Sequence, residues 1–352
     1  MSGKFNFLDF FSMITKADNT FYDVVGIGNA IVDVLAKVGE GFLTERHLKK
    51  GGMTLVEAVD AGKIYQDLIP EREVSGGSAA NTVAALASLG GTPAFIGKVH
   101  DDELGQTFKR DIGAAGVDFD TPALNEGPVT GRSIVLITPD AERTMFTYLG
   151  AARRLSTADI DENIISAAKI IYLEGYLWDQ YSAQKAMLKA CKLAKKHHRK
   201  VAFSLSDCSC VKRHRGEFIR LIKQYVDILF CNEEEIKSLY DEEDFYKTLD
   251  MIKPDVEIAA ITRSAKGSVV INGRTKTFVE AEKVTDVVDT TGAGDLYAAG
   301  FLYGLTQGRS LGTSAIIGSI AASEIISHYG ARPEISLRGF VRKKLTEYGI
   351  RA

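Results

Sequence analysis

Short apolar segments alternate with longer helical patterns along most of this chain, and that alternation limits the fold more than any other feature. Beyond residue 150 the apolar runs lie at 169–173, 200–205, 226–231 and 258–262, helical patterns lie at 183–196 and 216–224, and long ones follow 293 and 312. Consecutive strands joined by helices run parallel in one sheet. The sequence therefore predicts an α/β fold with a mostly parallel central sheet covered by helices on both faces.

One segment departs from this alternation and predicts a small β-sheet. Residues 133–138 and 143–148 flank a turn at Pro139 and Asp140, a pattern typical of a β-hairpin. We assign about 34–55 and 118–150 to a β lid. The large α/β domain is assigned to about 22–33, 56–117 and 151–345, in a single unit of 1–352 without internal repeats.

Charge and composition exclude several classes of partner. The net charge of −3 gives no field that would hold nucleic acid or an anionic membrane, so a small neutral or anionic ligand fits better. No apolar run approaches the roughly 18 residues of a membrane span, and the aromatic start at 5–11 lacks a signal-peptide cleavage site. The four cysteines show neither paired nor metal-binding spacing, so we expect reduced thiols in a cytoplasmic protein.

Glycine is in mild excess, at 33 of 352 residues or about 9% against a usual share of about 7%. The strongest cluster is Gly292, Ala293 and Gly294, which precedes Asp295 and a helical pattern. Glycines at a helix start let backbone N–H groups converge on an anion, aided by the positive end of the helix dipole. Asp295 there suits a carboxylate that faces an incoming hydroxyl group. The alternative is a plain N-cap residue.

A second glycine cluster, Gly76 and Gly77, opens another helical pattern that includes Asn81. The glycines allow close approach of a ligand to the backbone, and the Asn81 amide can both donate and accept, which suits a vicinal diol. The alternative is a tight turn before a helix. Asn29 and Asp33, after the first apolar strand, could line the same cleft, although taken alone they are better explained as surface residues of a turn.

Two further polar clusters follow apolar strands. Asn232 and Glu235 come directly after 226–231, at the strand end where open α/β sheets place ligands, and could hold Mg²⁺ through water. The alternative is a solvated first turn of a helix. Thr262 and Gly267 bound a polar turn that suits nucleotide phosphates or ribose.

Taken together, the Gly76 to Asn81 cluster and the run from Asp289 to Asp295 resemble the two signatures of the ribokinase-like (PfkB) family of sugar and nucleoside kinases. The resemblance extends over about 22–345. It implies a three-layer α/β/α domain with a small β-sheet lid that closes over the acceptor. It also implies ATP-dependent phosphorylation of a primary hydroxyl group.

The resemblance further implies a role for each matching residue. Asp295 resembles the catalytic base, and Gly292, Ala293 and Gly294 resemble the anion hole for the transferred phosphoryl group. The acceptor-binding set is Asn29, Ile31, Asp33, Gly77 and Asn81; the nucleotide set is Asn232, Thr262, Gly267 and Thr291; the metal set is Glu235 for Mg²⁺ and Asp289, with the Thr291 carbonyl, for a monovalent cation such as K⁺. Ser264 replaces the usual glycine of the nucleotide turn, which puts the shape of that loop in doubt.

Within the family, residues 28–33, the long insert between Asp33 and Gly76, and residues 173–177 are most similar to adenosine kinases. That resemblance favours phosphorylation of adenosine to AMP, a purine-salvage reaction, with Ile31 against the base and Asp33 on the ribose hydroxyl groups. Arg143, on the predicted hairpin, is interpreted as a lid cation that reaches the phosphates.

Three alternatives stay open at this point. One is a sugar kinase acting on ribose, fructose or another nucleoside, and another is a catalytically inactive ligand-binding protein on the same fold. An NAD oxidoreductase is disfavoured because Ile31 stands where the third glycine of a dinucleotide fingerprint should be. A monomer is favoured over a homodimer.

Overall fold

The computed structural model describes residues 20–140 and 142–351, so the aromatic start of the chain lies outside the described residues. The strands are β1 (Tyr22–Ile27), β2 (Ile31–Lys37), β3 (Gly52–Leu55), β4 (Arg72–Gly76), β5 (Pro93–Ile96), β6 (Thr130–Ile137), β7 (Arg143–Gly150), β8 (Ala168–Glu174), β9 (Lys200–Ser204), β10 (Ile228–Asn232), β11 (Ile258–Thr262), β12 (Ser268–Asn272) and β13 (Thr275–Val279). The α-helices are α1 (Glu40–Glu45), α2 (Ala58–Gln66), α3 (Ser78–Leu89), α4 (Glu103–Ala114), α5 (Glu162–Ser166), α6 (Tyr181–Lys196), α7 (Cys208–Tyr225), α8 (Glu233–Tyr240), α9 (Phe245–Ile252), α10 (Ala293–Thr306), α11 (Leu311–Ile325) and α12 (Leu337–Glu347).

The larger of two sheets has the strand order β13-β12-β11-β10-β9-β8-β1-β5. The pairs from β5 to β11 are parallel, and β12 and β13 continue the sheet in antiparallel pairing. The predicted α/β fold with a mostly parallel central sheet is therefore confirmed. Strand β1 lies between β8 and β5 because the chain adds β5 on one side of β1 and then returns to add β8 on the other side.

Helices cover both faces of this sheet because its strands are apolar on both sides. In β8, Ile170 and Tyr172 pack into one core with α3, α10, α11 and α12, whereas Ile171 and Leu173 pack into the opposite core with α6 and α7. Alternate side chains of a strand point to opposite faces, so one strand supplies both cores. The result is the three-layer arrangement that the family resemblance implied.

The smaller sheet has the order β3-β7-β6-β2-β4. The predicted hairpin is its β6–β7 pair, in which Ser133 lies opposite Thr147. Its outer face is covered by α1 and α2, through a core that includes Leu43, Ile64 and Phe146.

The small sheet takes in more of the chain than the boundaries expected from the sequence. Residues 56–76 were assigned to the large domain, yet β4 is an edge strand of the small sheet and α2 packs on it. β2 likewise starts at Ile31 rather than at 34. Conversely, Asp118 and Leu124 bridge to Ala94 and His100 beside the large sheet. Local patterns do not show which sheet a short strand joins, because that depends on distant partners.

Two predictions from the sequence concern the whole chain, namely the state of the cysteines and the presence of membrane spans. The four cysteines are free, and Cys191, Cys210 and Cys231 are buried. Among residues 20–140 and 142–351, no helix combines the length and apolar character needed to cross a lipid bilayer.

Candidate active site

A cavity of about 1020 Å³ separates the inner face of the small sheet from the carboxyl ends of the large sheet's parallel strands. Ligands of open α/β sheets bind at this edge. The structure brings most of the predicted site residues to its wall: Asn29, Ile31, Asp33, Gly77, Asn81, Arg143, Asn232, Glu235, Thr262, Thr291, Gly292, Gly294 and Asp295. Three predicted residues do not line it, namely Gly267, Asp289 and Ala293.

Asp295 is tied to α3 rather than to its own helix. Its Oδ1 accepts a hydrogen bond from Ser78 Oγ at 2.6 Å, and its Oδ2 accepts one from Asn81 Nδ2 at 3.3 Å. Helix α10 is preceded by Gly292 at the N-cap position, with no side-chain cap. The N-cap interpretation of Asp295 is therefore wrong, and its carboxylate is held between two elements at the cavity wall.

The environment of Asp295 raises its affinity for a proton. Loss of solvent contact raises the pKa of this carboxyl from 3.8 to about 6, although the hydrogen bonds from Ser78 and Asn81 and the charge of Arg332 oppose the shift. A carboxylate with this pKa is ionised at neutral pH and is more basic than an ordinary aspartate, which suits a general base.

This shift predicts an acid limb in the pH dependence of the reaction. A base must be ionised to accept a proton, so kcat/KM should fall as the pH drops through about 6, the pKa of Asp295. Initial rates in constant-ionic-strength buffers from pH 5 to 8 test this. A profile that stays flat down to pH 5 would contradict it.

The turn before α10 forms the expected glycine cradle, with one difference. Gly292 has a φ of +80°, and a Cβ there would lie 3.2 Å from Ala331. Around Gly294 a Cβ would meet nothing within 4 Å, which leaves room for a ligand beside the helix start. The Ala293 N–H, however, donates to the Thr290 carbonyl oxygen at 3.2 Å. The structure therefore places Gly292 and Gly294, but not Ala293, at the cavity.

Arg143 crosses from the small sheet to this turn. It forms a mostly buried ion pair with Asp289, and its Nη1 lies 3.3 Å from Thr291 Oγ1. The Arg143 guanidinium also lies over the Tyr329 ring, 5.7 Å from its centroid. A strand of the small sheet thus brings a cation to the glycine turn before α10.

The same contacts bear on Asp289 as a ligand for K⁺. Its Oδ1 accepts from the Thr291 N–H and hydroxyl groups at 3.0 and 2.8 Å, and its Oδ2 accepts from Gly330 N–H at 3.2 Å and from Arg143. A carboxylate already occupied by four donors, one of them a guanidinium, does not fit direct ligation of a cation.

Gly77 of the second glycine cluster lines the part of the cavity where the acceptor is expected to bind, and this part is called the acceptor wall. Gly77 has a φ of +103°, and a Cβ at this position would lie 2.1 Å from the Asn29 carbonyl oxygen. A Cβ at Gly76 would lie 2.5 Å from the Asp33 carboxylate. Gly77 is therefore required for α3 to approach the segment that carries Asn29, whereas a side chain at Gly76 would displace the Asp33 carboxylate. The surface-turn interpretation of those two residues does not hold, because Asn29 is buried and both line the cavity.

Glu174, at the carboxyl end of β8, is a site residue that residue spacing alone did not identify. Fully buried, it accepts from Asn29 N–H at 2.8 Å and Asn29 Nδ2 at 2.6 Å through Oε1, and from Ala79 N–H at 2.8 Å through Oε2. Burial raises its pKa to about 7. It therefore joins the first strand's loop to the start of α3. The available signal was a lone carboxylate at the end of an apolar strand.

Asn232 and Glu235 form a reciprocal capping box at the start of α8. Asn232 Oδ1 accepts from Glu235 N–H at 2.8 Å, while Glu235 accepts from Asn232 N–H at 3.0 Å and Nδ2 at 2.7 Å. Glu235 is buried, so the interpretation of a solvated acidic turn is wrong for it. Burial, together with nearby Asp207, raises its pKa to about 7.

This donor set fits Mg²⁺ that is carried mainly by phosphates. Within the described part of the chain, no group of three His, Cys, Asp or Glu residues is arranged to hold a metal ion by itself. Mg²⁺ in nucleotide sites keeps several waters and uses one or two carboxylates with the phosphates. Glu235, with Asp207 nearby at the cavity wall, supplies such oxygens.

The turn after β11 keeps its left-handed geometry although serine replaces a glycine. Ser264 has a φ of +52° and Gly267 a φ of +80°. A Cβ at Gly267 would lie 2.0 Å from the Val279 carbonyl oxygen, so this glycine shapes the turn without lining the cavity. Thr262, at the end of β11, does line it.

The inner face of the small sheet is divided into a polar row and an apolar row. Asp33, Ser133 and Thr147 lie side by side across β2, β6 and β7, and the Ser133 and Thr147 hydroxyl groups are 2.9 Å apart. One pleat further along, the adjacent row consists of Leu35, Val135, Met145 and Met53. Both rows line the cavity.

Comparisons with known proteins agree on the class of fold. The pfkB family carbohydrate kinase model matches residues 70–337. A curated relative, the 5-dehydro-2-deoxygluconokinase of Bacillus licheniformis, is 26% identical over 321 residues, which are 88% of this chain and 91% of that protein.

Two solved structures are more similar. The adenosine kinase of Sinorhizobium meliloti is 46% identical with a TM-score of 0.85, and the match covers 92% of this chain and 99% of that one. A probable sugar kinase protein of Rhizobium etli is 43% identical with a TM-score of 0.85, covering 94% of this chain and 99% of that one. The relatives therefore carry both adenosine-kinase and sugar-kinase names.

Proposed function

The chain belongs to the pfkB family of carbohydrate kinases, and we propose that its acceptor is a nucleoside, adenosine, which it phosphorylates on the 5'-hydroxyl group with ATP. The coarser activity follows from the family and its named relatives: the protein is a phosphotransferase with an alcohol group as acceptor. The finer proposal concerns which alcohol it accepts.

The two rows on the inner face of the small sheet carry this proposal. A nucleoside has a polar ribose joined to a flat base with apolar faces. The row Asp33, Ser133 and Thr147 offers acceptors and donors to ribose hydroxyl groups, while Leu35, Val135 and Met145 offer an apolar surface one pleat away. A sugar with hydroxyl groups around its whole ring would leave that apolar surface unmatched. The similarity to an adenosine kinase structure at 46% identity supports the same choice.

The proposed chemistry is an in-line transfer in which the protein supplies a base and an electrostatic cradle. Asp295 accepts the proton of the acceptor hydroxyl group as its oxygen forms a bond to the γ-phosphorus of ATP, and the bond from that phosphorus to the ADP oxygen breaks. Gly292, Gly294 and the helix start face the developing negative charge, and Arg143 adds a cation. Mg²⁺, held near Glu235, would neutralise phosphate charge when bound.

A panel of acceptors tests the proposal. ADP release would be measured by a coupled assay with adenosine, other nucleosides, D-ribose, D-fructose and 5-dehydro-2-deoxygluconate. We expect the highest kcat/KM with adenosine. A preference for any of the sugars would instead establish the sugar-kinase alternative, which the names of the curated relatives support. Absence of ADP release with every acceptor would favour a ligand-binding protein.

Removal of the lid cation should slow the transfer. We expect Arg143→Ala to lower kcat/KM by about 10²-fold, the cost of losing one charge-stabilising donor, because Arg143 reaches the anion-hole turn. Arg46→Ala is the matched control, since Arg46 stacks on Phe42 in the same small domain, away from the cavity. An Arg143→Ala enzyme with unchanged kcat/KM would refute the role.

A further inference from the structure

The loop after α11 contributes an arginine, Arg332, that no step of the proposed chemistry uses. Its guanidinium donates to the Ser75 carbonyl oxygen from Nε at 3.0 Å and Nη2 at 2.7 Å, and to Ser75 Oγ from Nη2 at 2.8 Å. Nη1 donates to the Ala80 carbonyl oxygen at 3.0 Å. These two carbonyl groups flank the segment that contains Gly76, Gly77 and Ser78. One planar cation therefore clamps both ends of the acceptor wall.

The clamp extends from this segment to two other elements. Ser75 donates to Asp111 Oδ2 on α4 from its N–H at 2.7 Å and its hydroxyl group at 2.6 Å, so Ser75 is held on both sides. The loop that carries Arg332 also donates from Gly330 N–H to Asp289 Oδ2 at 3.2 Å, and its Ala331 packs under Gly292. A single loop thus braces both glycine clusters of the site.

We propose that Arg332 is a positioning residue for the catalytic base: it holds the segment from which Ser78 and Asn81 bind Asp295, and it places a positive charge in the same cavity wall as that carboxyl group. The inference deepens the proposed kinase function and rests on it. Geometry carries the first part, because Ser78 lies between the two clamped carbonyl groups and Asn81 follows directly.

Electrostatics support the second part. Arg332 lowers the pKa of both Asp295 and Asp33 against the larger effect of burial, which raises each to about 6. Other charged or titratable groups face these residues: Asp111 on α4, Arg72 on β4, Arg143 on β7, Tyr172 and Glu174 on β8, and Tyr176 just after β8. Of the two arginines that act on Asp33, only Arg332 also acts on Asp295.

Two conservative substitutions test the hydrogen bonds of the Arg332 guanidinium group and its positive charge separately. Arg332→Lys keeps the charge, but one ammonium group cannot reproduce the fork that binds two carbonyl groups. Arg332→Gln keeps amide donors and removes the charge. Arg338→Gln, an exposed arginine on α12, is the control. Each variant would be assayed from pH 5 to 8 with ATP and the acceptor that wild type uses best, after its folding has been checked by thermal melting.

We expect both Arg332 variants to lower kcat/KM at pH 8, because both lose the clamp. Only Arg332→Gln should raise the pH midpoint of the acid limb. We expect a rise of about one pH unit, the lower end of the pKa shifts that a neighbouring opposite charge causes. The deficit of Arg332→Gln relative to wild type would then be about fivefold larger at pH 6 than at pH 8. Arg332→Lys should keep the wild-type midpoint.

Distinct outcomes overturn distinct claims. If both variants kept the wild-type kcat/KM, Arg332 would not be a positioning residue. If Arg332→Gln had a lower kcat/KM but an acid limb with the wild-type midpoint, Arg332 would act only through its hydrogen bonds. If Arg332→Gln does not fold, Arg332→Lys tests the electrostatic part. Because lysine keeps the positive charge, a shifted midpoint of its acid limb would refute that part. Failure of wild type to phosphorylate any acceptor contradicts the proposed function instead.

Discussion

Replacement of Asp295 by asparagine is expected to lower kcat by at least about 10²-fold, the lower end of what a general base contributes. Asparagine is nearly isosteric and can still accept from Ser78, which now lies 2.6 Å from Oδ1, so the site should keep its shape. What it cannot do is take up a proton. The measurement is kcat at saturating ATP and acceptor, at pH 8, where the wild-type carboxyl group is ionised.

Asp286→Asn provides the control for this experiment. Asp286 is an exposed residue in the segment that leads to the same turn, and it does not line the cavity. The Asp286→Asn enzyme should have the wild-type kcat. Near-normal turnover of a folded Asp295→Asn enzyme would remove Asp295 from the role of base and leave the anion-hole turn as the main catalytic device.

Gly77→Ala should damage both stability and acceptor binding. At a φ of +103° a side chain is strained, and its Cβ would lie 2.1 Å from the Asn29 carbonyl oxygen, so the backbone must move. We expect a loss of about 3 kcal/mol in the free energy of unfolding, near the upper end for a strained residue, and a Tm lower by about 4 °C. Because Asn29 and Asp33 line the same wall, the KM for the acceptor should rise more than the KM for ATP.

The same substitution at Gly113 is the matched control. Gly113 lies in α4, is exposed, and a Cβ there would meet nothing within 4 Å. Alanine in a helix should leave stability unchanged or raise it by up to about 1 kcal/mol. If Gly77→Ala kept a wild-type Tm and acceptor KM, the explanation of Gly77 as an obligatory close approach would be wrong.

Much of the site could be predicted from the sequence because its residues are local to strong patterns. Asp295 and the glycines before it share one turn, and Gly77 and Asn81 share another, so their spacing already indicates a ligand. The position of Arg143 at the cavity could be anticipated from its place on a hairpin. The interpretation of Asp295 as an N-cap and of Glu235 as a solvated residue failed for one reason: burial and cross-element hydrogen bonds cannot be seen in local sequence.

Glu174 and Arg332 illustrate what local patterns miss. Residue spacing singles out neither of them, although Glu174 lies in the segment 173–177 that resembles adenosine kinases, and each binds backbone groups far away in the chain. Glu174 accepts from Asn29 and Ala79, and Arg332 donates to Ser75 and Ala80. Contacts with sequence separations of 95 to 257 residues are created by strand order and helix packing.

The sequence by itself determined the layered α/β architecture and singled out the candidate base and both glycine clusters, since hydrophobic periodicity and glycine placement are local properties. Tertiary structure alone decided which strands form the small sheet, where Asp33, Ser133 and Thr147 stand beside the apolar row, and how one arginine braces the acceptor wall. Those features depend on the register between distant strands and on the partial desolvation of charges, and both arise only when the chain is packed.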